Sequence, residues 1–309
     1  VTAESWLNDA STKETRGKVL AAYMIAQTLG IIGAQGLLTL GDAAAATLFI
    51  GASILVSISF GPILLSATPV PATEAARPMS LRALFAGSPL GTVGIFLLGS
   101  VYATQSGMGA VFGAEIGMTA DSVALFVAML FGGALVLQYP IGWLSDRMDR
   151  RVLIFGAASL GAGFSALGWA SGDRLWPLMA SAFIAGGVTT PLYALFLAYT
   201  NDFLPAEDMP AASGGLVFTF GLGAIIGPLA AGGAMQGLGP FGFWVALGGA
   251  FAAIALYALW RMTRRSSVPV EQTESYLGVI PTASPVAVEA AGVWAAEQGE
   301  AQRDADPVA

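Results

Sequence analysis

Charged side chains are scarce in this sequence, and their densest group lies in Pro140-Ile-Gly-Trp-Leu-Ser-Asp-Arg-Met-Asp-Arg-Arg151. Five of them fall within six residues: Asp146, Arg147, Asp149, Arg150 and Arg151. Two roles are open to such a group. The arginines can anchor one end of a membrane protein in the aqueous phase, because an arginine at the bilayer centre costs about 2.5–3.5 kcal/mol on insertion scales. On this reading all three arginines sit at the aqueous edge. Asp146, closing one apolar run, can also approach the N-terminus of another helix, where the dipole favours an anion. The first role is a plain anchor. The second is a latch, made in one conformation and broken in another.

A second set of reactive groups lies inside apolar runs: Gln27, Gln35, Tyr102, Gln105, Ser106, Gln138, Thr189, Thr190 and Tyr193. Tyr102, Gln105 and Ser106 fall within one helical turn. Thr189, Thr190 and Tyr193 flank Pro191 just after Gly186-Gly187, which predicts a flexible or broken helix. These side chains either face a solute cavity or bond their own backbone or a neighbouring helix. No acid or base sits deep in any run, so no proton-carrying residue is visible. Glu115 reads as a solvated helix end and Asp121 as an N-cap. The sequence has no Cys and no His, which removes disulfides, Cys/His metal sites and His-based catalysis. Nothing calls for a cofactor or a metal, and with no acid–base pair in the runs, enzymatic chemistry has little support.

The elements that must carry these residues are membrane helices. Of 309 residues, 55% are hydrophobic and only 11% charged, where soluble domains run near 25% charged. Charge-free runs cover 19–41, 43–67, 88–114, 120–144, 152–172 and 175–200. The longer run 209–260 is broken by Gly237-Leu-Gly-Pro-Phe-Gly242 into roughly 209–235 and 241–260. Each is long enough to span a bilayer as a helix, which needs about 20 residues, and too continuous for barrel strands. The expected fold is therefore an all-α membrane protein of about eight transmembrane helices.

Lys13, Arg16, Lys18, Arg77, Arg82, Arg147, Arg150, Arg151, Arg261, Arg264 and Arg265 all fall on one side if the chain crosses at each run. The positive-inside rule puts that side, and the C-terminus, in the cytoplasm. The acidic loop 201–208 is an exception on that side. Trp143 and Trp260 at the inner ends, with Trp169, Trp176 and Trp244 at the outer ends, read as interfacial belts. Six of the net seven negative charges belong to residues 266–309, read as a disordered acidic cytoplasmic tail. The low isoelectric point is thus a property of the tail, and no nucleic-acid partner is implied.

An internal repeat appears at an offset of 193 residues, where Trp6–Gly30 lies on Tyr199–Gly223 and Asn8-Asp9 meets Asn201-Asp202. The same offset puts a first copy of the charged stretch before residue 1. With Val at position 1, the expectation is an N-terminally truncated chain lacking about four helices. Residues 1–67 then close an N-terminal half and 68–87 link it to a C-terminal half at 88–265. Ser80 is a candidate N-cap for a short amphipathic helix in that linker.

Gly142-Trp-Leu-Ser-Asp-Arg-Met-Asp-Arg-Arg151 resembles the signature loop of the major facilitator superfamily, Gly-x-Leu-Ala/Ser-Asp-Arg-x-Gly-Arg-Arg. It departs at Asp149, where the family prefers Gly. Glu4-Ser-Trp-Leu-Asn8, Arg16-Gly17, Leu20-Ala-Ala-Tyr-Met24 and Gly33-Ala-Gln-Gly-Leu-Leu38 resemble a branch of putative bacterial transporters of unassigned substrate. The resemblance implies a helical bundle in which the eight runs are family helices 5–12 of twelve. It implies a secondary transporter in a bacterial inner membrane, moving a small solute by alternating access. A monomer in the lipid bilayer is expected, with a proton as one candidate coupling ion. A sensor or binding protein on the same fold remains the alternative. The resemblance also implies a conformational latch from Gly142, Asp146, Arg147, Arg150 and Arg151, and a solute cavity between the halves; by the repeat, the latch's partner is the helix starting near Arg16. Gly223-Ala-Ile-Ile-Gly-Pro-Leu-Ala-Ala-Gly232-Gly233 is similar to an antiporter motif but falls on the repeat partner of the helix that carries it. Gly223, Gly227, Pro228 and Gly232 therefore read as helix-packing residues.

Overall fold

The computed structural model describes residues 16–38, 41, 46–65, 79–204, 208–264 and 281. Apart from residue 281, the proposed tail lies outside them, as does the start of the repeat. Among the described residues all regular structure is helical: α1 (Arg16–Leu38), α2 (Ala46–Leu65), α3 (Leu81–Gly87), α4 (Pro89–Glu115), α5 (Ala120–Ser145), α6 (Arg150–Ala170), α7 (Leu175–Asn201), α8 (Met209–Leu238) and α9 (Gly242–Met262). Eight are long, and each matches a charge-free run to within about three residues. The six from α4 to α9 are long and apolar enough to cross a membrane, and the apolar stretches Ile25–Leu38 and Ala46–Gly61 are shorter. The chain is a multi-pass membrane protein.

Local chemistry sets the boundaries. Ser80 caps α3 by accepting from the Ala83 amide at 3.2 Å. Thr119, not Asp121, caps α5, accepting from the Ser122 amide at 3.3 Å. Asp121 sits instead in the first turn, where its charge still complements the dipole. Gly239 ends α8 at φ 77°, a left-handed conformation suited to glycine. α8 begins 193 residues after α1, the offset of the sequence repeat.

Helix α4 packs along α8, α5 along α7, and α6 between α7 and α9, while α1 lies on α5. With no water to expel in lipid, such pairing depends on close backbone approach by small residues. At Gly223 and Gly227 of α8 a Cβ would overlap the carbonyl oxygens of Phe96 and Ser100 on α4. At Gly186 of α7 it would overlap Leu130 O on α5. The Gly186-Gly187 pair therefore draws two helices together, and α7 runs unbroken through Pro191. That corrects the expectation of a broken helix.

At the end where α4 meets α5 and α8 meets α9, Phe112, Phe126, Phe243 and Trp244 form one buried aromatic cluster. Phe112 and Phe243 stack with centroids 5.0 Å apart. Trp244 is 1% exposed, so it is a core residue and not part of an interfacial belt; Trp169 and Trp176 at the same end are exposed. Large apolar side chains such as Val136, Ile225, Leu229 and Leu256 cover the outside, as a lipid-facing surface requires.

Candidate functional site

The charged stretch forms the junction of α5 and α6. Helix α5 ends at Ser145, and the Asp146 amide closes it by donating to Gly142 O at 3.3 Å. The connection is four residues long, because Asp149 already caps α6 by accepting from the Arg151 amide at 2.9 Å. Its φ is −56°, so this position needs no glycine, and the departure from the family pattern supplies a helix cap.

The three arginines part company. Arg147 is exposed, donates to Trp143 O at 3.0 Å and lies over the Trp143 ring at 4.2 Å. Arg151 folds back on Asp149, with Nη2 2.6 Å from Oδ2. Arg150 turns inward and is only 3% exposed. It donates to Ser145 Oγ at 3.3 Å and Ala198 O at 3.2 Å, and forms an ion pair with Asp202. Both partners of that pair are buried. The expectation that all three arginines sit at the aqueous edge thus holds only for Arg147. Burial of Arg150 becomes tolerable because a carboxylate and two further acceptors surround it.

Asp202 is the residue the sequence reading missed. It belongs to the acidic loop that broke the positive-inside pattern. The signal was present in the repeat, which aligned Asn201-Asp202 with Asn8-Asp9. The same end of α7 also holds α4, since Ser88 and Thr200, both fully buried, share a hydrogen bond of 3.2 Å. One helix end therefore ties together α4, α5 and α6.

Burial works against the Asp149 carboxylate, but hydrogen bonds from the Arg151 side chain and backbone, with its charge, outweigh that and hold Asp149 below the ordinary carboxylate range. A depressed folded-state value means the stabilisation is complete above the unfolded value, near pH 4, and is lost as pH falls through the lower folded one. Asp149→Ala should destabilise the protein by about 1 kcal/mol at neutral pH, as for other lost caps, and the difference from wild type should vanish in strong acid. Unfolding in detergent as a function of pH measures it.

The other predicted site residues divide by helix face. Gln105 is 3% exposed and donates to Ala185 O at 3.2 Å, joining α4 to α7. Thr189 spends its hydroxyl on the same carbonyl at 3.1 Å. Ser106 is exposed and bonds Tyr102 O at 2.9 Å. Of these three residues within one helical turn, Gln105 is buried, Tyr102 half-buried and Ser106 exposed. Thr190 and Gln35 are half-buried. Gly142 is buried in α5. Arg16 starts α1, and its side chain lies outside what is described. Pro228 lies inside an unbroken α8, and Gly232 has only the Met108 terminal methyl near it, at 4.0 Å.

Three of the predicted site residues keep unused hydrogen-bonding groups. The Tyr193 hydroxyl, both amide atoms of Gln138 and the Gln27 carbonyl oxygen are buried without a hydrogen bond. Each such group costs about 1–3 kcal/mol. By contrast, one open face of α2 presents the exposed side chains of Phe49, Ile50, Ile54 and Ile58. Its Ser53 and Ser57 hydroxyls are spent on the helix backbone, so it offers nothing to recognise.

Known proteins resemble this chain along most of its length. The sequence model of the Major Facilitator Superfamily matches residues 91–296. A Bacillus subtilis (strain 168) protein named as an uncharacterized MFS-type transporter, YfkF, is 27% identical over 246 residues, covering 75% of this chain and 61% of the relative. YcaD of Escherichia fergusonii, with the same kind of name, is 24% identical over 234 residues, covering 74% and 59%. YE1530 of Yersinia enterocolitica is 27% identical over 238 residues, with the same coverage. The chain thus spans about three-fifths of the length of these curated relatives.

Proposed function

Because this chain belongs to the major facilitator superfamily, we propose that the whole protein is a secondary transporter that moves a small solute across a bacterial membrane by alternating access. It is not an enzyme on this reading, and its C-terminus faces the cytoplasm. Helices α1 and α2 close one half of the transporter, α3 lies in the linker, and α4–α9 make the other half. The observation that carries the proposal is the packing of α1 on α5, the helix that ends in the charged stretch. The junction between the halves then runs beside Asp146.

On this reading the stretch divides its work. Arg150 and Asp202 fasten the loop to its own half, and Asp146, exposed at the end of α5, engages the first turn of α1 when the cytoplasmic ends close. An anion there meets the positive end of a helix dipole, worth about 0.3–1 kcal/mol and up to about 2 when partly buried. That is enough to bias two states of similar free energy without locking either.

Asp146→Asn keeps the shape and removes the charge. In the whole protein it should lower transport severalfold while membrane insertion and unfolding temperature stay close to wild type. Crosslinking between cysteines at Gly17 and Arg147 should fall in parallel. Unchanged flux together with unchanged crosslinking would leave only the anchor. Saturable solute binding with no flux under any gradient would instead favour a sensor on this fold.

A further inference from the structure

Two unpaired side chains, Gln138 of α5 and Tyr193 of α7, lie at one height in the bundle. The two helices run parallel, since Arg150, just beyond the end of α5, bonds Ala198 and Asp202 at the end of α7. They meet where Gly133 faces Gly187. Gln138 lies five residues beyond that contact and Tyr193 six, so at about 1.5 Å per residue the two are nearly level. Tyr193 is 1% exposed and its hydroxyl is unbonded; the Gln138 amide is buried and unbonded at both atoms. Of the other unpaired buried groups, those on Trp244, Asn201 and Arg261 lie at helix ends, Ser181 lies near the opposite end of α7 from Tyr193, and Gln27 lies midway along α1.

Aromatic rings complete the surroundings. Tyr193 meets Phe220 of α8 edge-on, with centroids 5.5 Å apart. Tyr102 of α4 rests on the same Phe220 at 5.7 Å and against Phe131 of α5 at 6.2 Å. Four helices thus contribute to one ring cluster inside the bundle. Between their end residues α4, α5, α7 and α8 carry no charge except Asp121, in the first turn of α5. A charged solute would find no counter-charge in these walls and would lose its hydration. A neutral solute could satisfy a hydroxyl and an amide that otherwise remain without partners.

Resting on the transporter reading above, we propose that Tyr193 and Gln138 form the polar floor of the solute site under the Tyr102–Phe220–Phe131 wall. The solute is an uncharged molecule with a flat apolar body and one group that both donates and accepts hydrogen bonds, as an aromatic amide does.

The test compares benzamide and 2-naphthamide with the matching carboxylates and ammonium compounds, as protectants of the whole protein against thermal unfolding. The amides should protect and the charged compounds should not. Tyr193→Phe with Gln138→Leu should weaken amide binding about tenfold or more, as loss of a built hydrogen-bonding site does. Protection by a charged compound alone, full protection of the double variant, or no protection by either amide overturns the proposal. Tyr193→Phe alone removes a hydroxyl that bonds nothing, so its unliganded unfolding temperature should hold or rise. A fall would show that the fold uses the hydroxyl and would also overturn it. Uptake into vesicles separates the two readings. Uptake of a charged compound only would sink the solute class and keep transport. Saturable amide binding without uptake would keep the class and sink transport.

Discussion

Asp202→Ala is expected to destabilise the protein by about 3–5 kcal/mol, the range for removing one partner of a buried ion pair. The loss arises less from the missing attraction than from what remains. Arg150 is 3% exposed and reaches its place through Ser145 Oγ and Ala198 O, neither of which carries charge. Without Asp202 the guanidinium either stays buried without that carboxylate or pulls out and opens the junction of α5, α6 and α7. Arg150→Met in the same chain should recover most of the loss, because a charge-free pair of similar volume is often as stable as the ion pair it replaces. Denaturant unfolding of the single and double variants in detergent measures both. A single variant as stable as wild type would mean that the pair is not formed.

The second large effect concerns backbone approach. Gly186→Leu should disrupt the α5–α7 contact, since even the first atom of the new side chain would overlap Leu130 O. Overpacking usually costs about 1–3 kcal/mol where neighbours can shift. Here the neighbour is helix backbone, so the cost should reach or exceed the upper end, with loss of folded protein after extraction. Gly227→Val, facing the Ser100 carbonyl on α4, should behave alike. Gly233→Ala on the same helix has open space around its Cβ position and should be tolerated. Expression and unfolding temperature of the three variants side by side distinguish a packing requirement from a general intolerance of glycine replacement.

How much of this was legible in the sequence depends on what each feature is made of. Helix spans were legible because charge cannot enter the bilayer core: the gaps between charges marked the ends of α4 to α7 closely, and a Gly/Pro stretch divided α8 from α9. The capping serine of α3 was legible because it precedes an apolar run. Burial was not. Arg147, Arg150 and Arg151 look alike in sequence, yet one lies over Trp143, one folds on Asp149 and one enters the core. Their separation depends on Asp202, about fifty residues away, and on the angle at which α7 ends. Gly186-Gly187 followed by Pro191 gave a local signal for a break, and close packing against Gly133 overrode it. Among the polar residues of the spans, Gln105 and Tyr193 looked equivalent. Only the position of Ala185 O separates a joint between helices from a group left free to bind.

The central claim is that the middle of this bundle opens to each side of the membrane in turn. The sequence contains no cysteine, so Ser106→Cys, on an exposed position of α4 outside the proposed Tyr193–Gln138 floor, places a unique thiol in this chain within a span. In vesicles containing the whole protein, a membrane-impermeant maleimide should label that thiol when added from either side, and a transported solute should shift the ratio of the two rates. Labelling from one side only, with and without solute, would contradict alternating access.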